Sequence, residues 1–546
     1  MNINFKKKIE TLYKSKQFES IKFEIEALDD NEKEDPFYHN ILGVIELLNK
    51  NYSKAKKYFN FALKLDKYYI HSLLNLAKLA YLDKDFIQTI NMLKEYNAKN
   101  PGDHNIILNL ADLTFGAGTI EDTIYYHKIL INSGKYETKD LAALIFLLNY
   151  SNTYSKDEYK KYCEKFNKTI FKNKINYKFT PNDHDKSKIG FLSYDLKQHS
   201  VGYFLKDFVK ILKDKNLKPI AFNLSKERKD DNFTNNFKKA FFEWNDVSNL
   251  NDKEISDLIY SKRIYYLFDL GGYSNGNRLQ VYKNKPAPVQ ISWLGYCNET
   301  HIEEIDHMIV DDYIISDDLK DSKSKLISMP HIWNTISKLE DVQVNELPYI
   351  KNKHFNFGCF NNFLKISSYT INMWEEILYK FENSNLILKN SSSADINFKD
   401  YIIKKFKKEI NPQRIKILNY ELDKKKHLEQ YNNIDLCLDT YPYNGVTTTF
   451  EALWMGVPVV TLKGDRFVSR CGYSINKNSK LSNYIANNKQ EYISIATQFK
   501  NKANIEKLLI VRKKLRSQVL QSPLFDIDLF VKNFILKLNT INEISK

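Results

Sequence analysis

The sequence predicts an α-helical repeat solenoid followed by two doubly wound parallel α/β domains. Three observations carry that expectation. A period of 34 runs through the first 140 residues, the length of a helix–turn–helix repeat unit. Beyond residue 185 the pattern changes to short apolar runs alternating with amphipathic helices, as in parallel sheets covered on both faces. The 546 residues also exceed what one core supports, so about three domains are expected.

The repeat is legible on three tracks. Leu42, Leu76 and Leu110 each precede a small residue, Gly43, Ala77 and Ala111. A second track runs Ala55, Thr89, Thr123 and a third Ala62, Tyr96, Leu130. A small residue in mid-helix lets a neighbouring helix approach, and the large residues fill the space around it. This is the tetratricopeptide pattern, with DPFYHNILGVIELLNKNYSKAKKYFNFALKLDK as one complete unit. An imperfect unit precedes it, with Ile21 and Leu28 in register but Lys8 on the first track, as suits a terminal cap whose outer face is wet. Such a solenoid binds extended segments along its concave face and carries no chemistry.

The expected boundaries are 1–140 for the repeats, 141–185 for a helical connector ending in TPNDHDKSK, 186–345 for the first α/β domain and 346–546 for the second. The first sheet should contain KIGFLSYD, PIAFNLS, IYYLFDLG, VQISWLG and HMIVDD. The second should contain FNFGCFN, NLILKN, RIKILNY, DLCLDT and VPVVTL. An acidic, irregular linker is expected around 336–352, and the final helix, roughly 524–541, should cross back onto the first domain.

Apolar residues at 43% and aromatics at 14% are enough for packed cores and argue against disorder. The net charge of +15 is spread along the chain without an arginine-rich arm, so nucleic acid is not the expected partner. Cys163, Cys297, Cys359, Cys437 and Cys471 form no CxxC pair, fitting reduced thiols in a cytosolic protein. The segment MNINFKKKIETLYKSKQF lacks the apolar core of a signal peptide. No run approaches the ~20 apolar residues of a membrane span. The expectation is a soluble cytoplasmic protein.

Ligands of such sheets bind outside the carboxyl ends of the strands, so the loops there hold the candidate chemistry. In IDLCLDTYPYNGVTTTFEALWMGVPVVTLKG, residues 434–464, a strand ends at Asp439-Thr440 and a helix opens at Val446-Thr447-Thr448-Thr449. Free N–H groups and hydroxyls at a helix start form a phosphate site, and Gly445 lets the backbone come close. Glu451, one turn in, is within reach of a ribose diol. The same threonines also serve as ordinary helix caps. In FGCFNNFLKISSYTINMWEEIL, residues 357–378, Lys365 follows a strand of the same sheet, where it is either simply solvated or a point charge for a diphosphate. In KIGFLSYDLKQHSVGYFL, Asp195 and His199 lie in the first strand–helix loop of the other domain. A histidine there is an acid, a base, a hydrogen-bond donor to a sugar, or structural.

Together SYDLKQHSVGYF, GYSNGNRLQVYKNKPAPVQISWLGY, FNNFLKIS and LDTYPYNGVTTTFEALWMGVPVV resemble the O-linked N-acetylglucosamine transferase family, which includes the plant SPINDLY proteins and many bacterial relatives. The resemblance covers nearly the whole chain in the family's order: tetratricopeptide repeats, then two catalytic lobes of a GT-B fold, acceptor side first. It implies that Lys365 contacts the donor diphosphate and stabilises the departing nucleotide, with Thr447 and Thr448 on the same phosphates. It implies Glu451 at the ribose, His427 near the base with Lys424 beside it, and Asn362 near the phosphates. His199 resembles the first-lobe histidine close to sugar and acceptor. The implied reaction is inverting transfer of N-acetylglucosamine from UDP-N-acetylglucosamine to Ser or Thr of an acceptor protein recruited by the repeats. Lys365 and the Thr447 helix would neutralise the leaving group without a metal, and no cofactor is expected. Of the Asp-x-Asp triplets, Asp183–Asp185 and Asp526–Asp528, neither follows an expected strand, and both are read as surface or capping residues. The general base is not identified, with His199 and Asp195 as the candidates.

The chain departs from the family at Val446, where animal enzymes place a histidine. It departs again at Gly272-Tyr273-Ser274, for the usual Gly-His-Thr of bacterial relatives, and at Gly295-Tyr296-Cys297-Asn298, for Gly-Tyr-Pro-Gly. These changes leave two alternatives open: a GDP-fucose donor, as in SPINDLY relatives, and a non-catalytic repeat scaffold with a degenerate transferase body. Self-association and the identity of the acceptor are also left open.

Overall fold

The computed structural model describes residues 3–83, 86–171, 175, 177–179, 184–226, 232–389, 398–408 and 410–544. Asp183 of the first Asp-x-Asp triplet lies outside them. The chain forms two compact units, one built on Met1–Lys135 and the other on Tyr136–Ser391 and Ile403–Lys546.

The first unit is helical. First helices begin at Pro36, Ile70 and His104, and second helices at Tyr52, Phe86 and Ile120, so both starts repeat every 34 residues. Asp35 accepts the Phe37 N–H at 2.9 Å with Pro36 at the first helical position, and Asp103 accepts from Asn105 and Ile106; both are N-caps. The small-residue track has its expected cause. A Cβ at Gly43 would lie 2.5 Å from Phe59 Cε1. Ala55, Phe59 and Ala62 are fully buried, whereas Tyr96 is half-buried. The preceding helices, Ile3–Lys14 and Phe18–Glu26, shift the first track by one residue. Lys8 is exposed, and Ile9 fills the core with Ile21 and Ile25.

In the second unit, helices Thr138–Leu148 and Lys156–Phe171 lead into two parallel sheets. The first comprises β1 (Asp185–Ser193), β2 (Lys218–Asn223), β3 (Glu243–Asp246), β4 (Ile264–Asp269), β5 (Val289–Ser292), β6 (His307–Asp311) and β7 (Lys325–Met329), in the order β3-β2-β1-β4-β5-β6-β7. The second comprises β8 (Phe355–Cys359), β9 (Ser384–Lys389), β10 (Ile415–Leu418), β11 (Leu436–Leu438), β12 (Val459–Leu462) and β13 (Ile485–Ala486), in the order β10-β9-β8-β11-β12-β13. Every residue of β8, β11 and β12 is buried, as central parallel strands require. The ten expected strands are all present. The three that were not expected, β3, β7 and β13, are edges of their sheets.

In each sheet the strand order reverses between two neighbours, β1 and β4 in the first and β8 and β11 in the second. A crevice opens at such a point because successive crossovers go to opposite faces. The lobes are joined by polar contacts: Ser474 Oγ donates to Asp311 Oδ2 at 2.6 Å, buried, and Arg470 Nε to the Tyr313 carbonyl at 2.7 Å, part-buried. Helix Ile527–Ile544 returns to the first lobe, where Phe534 packs edge-on at 4.9 Å from Phe208 and Phe530 stacks on Trp293. Asp526 accepts the Leu529 N–H at the start of this helix, a capping role. Among the described residues no helix is long and apolar enough to cross a membrane.

Candidate active site

The two halves of the expected phosphate site flank the reversal point of the second sheet. β8 runs into a 3₁₀ turn, Phe363–Lys365, and β11 into the loop that starts helix Thr447–Trp454. Lys365 Nζ donates to the Asn444 carbonyl at 2.8 Å and lies 4.0 Å over the Tyr443 ring. Burial lowers its pKa, opposed by nearby thiols and by Asp439. The turn and the loop are stitched together by Asn361. Its Nδ2 donates to Asp439 Oδ1 (3.1 Å) and Thr440 Oγ1 (2.9 Å), and its Oδ1 accepts from Thr448 Oγ1.

Helix Thr447–Trp454 has no side-chain cap: Val446 stands at the cap position. The Thr449 and Phe450 N–H groups bond to the Val446 carbonyl, which among the described residues leaves those of Thr447 and Thr448 facing outward. Thr449 Oγ1 donates to the Gly445 carbonyl, so this third threonine serves the helix itself. Gly445 is required by space: a Cβ would lie 2.5 Å from Asn361 Oδ1 and 2.7 Å from Thr448 Oγ1. Its N–H donates to Asp439 Oδ1 at 2.7 Å, and Thr461 Oγ1 donates to Oδ2 at 2.8 Å. Burial pushes the Asp439 carboxyl up to about 6 despite these bonds. This aspartate organises the whole loop, and the sequence reading missed it; a carboxylate ending the apolar run DLCLDT was the available signal.

Glu451, 3% exposed, is ringed by protein donors. Lys424 Nζ meets Oε1, while His427 Nε2 (2.8 Å) and Tyr431 OH (3.1 Å) meet Oε2. Burial pushes its pKa up, but Lys424 and His427 more than offset this and hold it at about 2. His427 Nδ1 is 2.6 Å from Lys389 Nζ, and Phe360 packs 4.5 Å from Tyr431. The structure thus joins Glu451, His427 and Lys424 in one cluster and adds Lys389, Tyr431 and Phe360. Asn362 stands apart from it. This residue is exposed and caps the 3₁₀ turn, accepting the Leu364 N–H at 3.0 Å.

His199 is the N-cap of helix Ser200–Asp214, with Nδ1 accepting the Val201 N–H at 3.3 Å. Asp195 Oδ2 is 3.7 Å from the same nitrogen, too far for a hydrogen bond. Because Nδ1 accepts, a neutral His199 carries its proton on Nε2 and presents a donor. The His199 helix meets the Thr447 helix through Phe204 and Phe450, 5.5 Å apart, and Lys424 lies 4.9 Å over Tyr203. The first-lobe loop is thereby tied to the second-lobe cluster.

The departures noted in sequence are mostly buried structure. Tyr273 donates to the Thr300 carbonyl at 2.7 Å, and Tyr296 shares its hydroxyl with Tyr159 (2.6 Å) and Asn149 (2.9 Å). Gly272, at φ +50, lies under Tyr296, whose Cγ a Cβ would approach to 2.3 Å. Cys297 differs. Hydrogen bonding with Cys471 and the Lys365 charge lower its thiol pKa.

A family model described as glycosyl transferase family 41 matches residues 153–338 and 342–534. A Solanum lycopersicum protein named probable UDP-N-acetylglucosamine--peptide N-acetylglucosaminyltransferase SPINDLY is 30% identical over 350 residues, 63% of this chain and 37% of its own. An Arabidopsis thaliana protein with the same activity name and the designation SEC is 27% identical over 358 residues, 63% of this chain and 36% of its own. The chain therefore matches little more than a third of the length of these relatives. A solved Thermobaculum terrenum O-GlcNAc transferase mutant aligns with a TM-score of 0.75 at 22% identity, covering 94% of this chain and all of that one, which shows a shared GT-B fold. With the family model spanning both lobes and the loops just described, the chain belongs to glycosyl transferase family 41.

Proposed function

We propose that this chain transfers a sugar from a nucleotide diphosphate sugar to a Ser or Thr hydroxyl of a polypeptide, with UDP-N-acetylglucosamine as the donor and inversion at the anomeric carbon. The observation that carries the reading is the convergence of Lys365 with the uncapped Thr447 helix at the reversal point of one sheet. Charge on the departing diphosphate would be met by the Lys365 ammonium and the Thr447 and Thr448 N–H groups, fixed in place before reaction. These groups supply the charge stabilisation, so no metal is part of the proposal. The Glu451 cluster would hold the nucleoside, and the His199 Nε2–H would donate to the sugar. The names of the SPINDLY and SEC relatives support donor and acceptor class, and five unpaired cysteines support a cytoplasmic location.

Calorimetric titration with UDP, UDP-N-acetylglucosamine and GDP-fucose, followed by intact-mass analysis of co-expressed acceptors, tests the reading. Lys365→Ala is expected to weaken nucleotide binding by about 1.5–3 kcal/mol and to lower turnover at least as far. Unimpaired turnover by Lys365→Ala would refute the role given to it. A deoxyhexose increment would replace the donor with GDP-fucose, and binding of none of the three would leave a scaffold.

A further inference from the structure

We propose that Tyr443 is a positioning residue for the reaction: its ring face holds the Lys365 ammonium in place without neutralising it. The inference rests on the transferase reading above. Lys365 Nζ lies 4.0 Å over the centre of the Tyr443 ring and donates to the Asn444 carbonyl at 2.8 Å. Both partners are uncharged. The neighbouring carboxylate, Asp439, is already bound by Gly445, Asn361 and Thr461.

Both holders are themselves fixed. Asn444 is fully buried. Its N–H donates to the Val468 carbonyl at 3.0 Å, its Nδ2 donates to the Thr440 carbonyl at 2.9 Å, and its Oδ1 accepts from the Gly472 N–H at 3.2 Å. Tyr443 is also buried, and its ring stacks on that of Tyr150 at 4.7 Å and 29°. Tyr150 follows helix Thr138–Leu148 and packs against Phe146 of that helix at 5.3 Å. Its neighbour Asn149 donates to the Tyr296 hydroxyl of the first lobe at 2.9 Å. The donor lysine is thereby held by main chain of the second lobe and by a pair of rings braced from the connector.

The face of an aromatic ring carries partial negative charge and attracts a cation. A carboxylate in its place would form an ion pair that an arriving diphosphate had to break. A neutral ring and a carbonyl fix the ammonium and leave its charge for the phosphates. Burial lowers the Lys365 pKa, and the groups facing it oppose this: Cys297 from the loop after β5, Cys471 at the start of helix Cys471–Asn478, Asp439 after β11 and Cys359 of β8. The Tyr443 hydroxyl also bonds with the Cys297 thiol. The pull of the ring acts on the ammonium and not on the neutral amine, so it favours the protonated form. Without the ring, Lys365 loses its charge at a lower pH.

The test measures UDP binding to the full chain by calorimetry from about pH 7 to 10, with GDP in parallel because it carries the same diphosphate. Tyr443→Leu should weaken binding roughly tenfold and start its alkaline decline roughly one pH unit lower. Tyr443→Phe, which keeps the ring face, should recover most of both losses. Phe and Leu alike lack the hydroxyl that bonds Cys297, so the thiol is disturbed equally in the two. A ring that only fills space would change affinity by the same factor at every pH. An unmoved decline in Tyr443→Leu, or Tyr443→Phe no better than Tyr443→Leu, therefore overturns the proposal. If Tyr443→Leu does not fold, Tyr150→Leu decides: it should move the decline in the same direction, and a profile matching the parent overturns the proposal. A parent protein that binds neither nucleotide overturns the transferase reading as well. Parent binding that Lys365→Ala weakens but loss of the ring does not overturns this inference alone.

Discussion

Lys389 shows how one side chain sets the state of its neighbours. An ammonium only donates, so its contact with His427 Nδ1 leaves that nitrogen bare and puts the ring proton on Nε2, directed at Glu451. Burial lowers the Lys389 pKa to about 8 from 10.5. Between those values the unfolded chain binds the extra proton and the folded one does not, so this residue makes stability rise with pH across that window. Lys389→Met should flatten that rise relative to the parent protein in urea titrations from pH 8 to 10.5; parallel curves would refute it. The sequence placed Glu451 one turn into its helix, showed Lys424 and His427 only through a family resemblance, and gave no sign of Lys389, because Lys389 and His427 lie 38 residues apart and meet only in the folded sheet. The adjacent pair Asn361-Asn362 illustrates the same limit. Strand alternation ends where the turn begins, so the spacing does not reveal that Asn361 reaches Thr448 while Asn362 caps the turn.

Among the elements, the helix pairs of the repeat were the most legible, because a 34-residue period repeats the same small-against-large contact three times over. At Gly43 a Cβ would lie 2.5 Å from Phe59. Gly43→Val would drive a side chain into Phe59 and should destabilise the helix pair by about 1–3 kcal/mol, with Phe59→Leu recovering part of the loss. Hydrogen exchange of helices Pro36–Leu48 and Tyr52–Leu65 measures it, and unchanged protection would count against the packing argument. Central strands were equally legible, since burial on both faces demands the largely apolar runs of β8 and β12. The edges were not. β3 reads EWND and β13 spans two residues; a strand paired along one side tolerates polar residues and short length, which removes the pattern that reveals it.

At the scale of the second unit, the two lobes share their cores. Helix Ile527–Ile544 follows the second lobe in sequence, yet Phe530 and Phe534 pack on Phe208, Phe268 and Trp293 of the first, and the Tyr266 hydroxyl donates to the Leu538 carbonyl at 3.1 Å. Phe534, 1% exposed, should cost about 3–5 kcal/mol when replaced by alanine. Its loss should also split one cooperative unfolding transition into two, followed by calorimetry; a single transition at unchanged temperature would contradict the shared core. The same helix has a consequence for synthesis. The last strand of the first lobe ends at Met329 and the helix that covers it begins at Ile527. At ribosomal speeds of about 5–20 residues per second, the aromatic face around Phe208 and Trp293 waits roughly 10–40 s on the nascent chain before its cover emerges. During that interval it is a natural surface for a chaperone to hold.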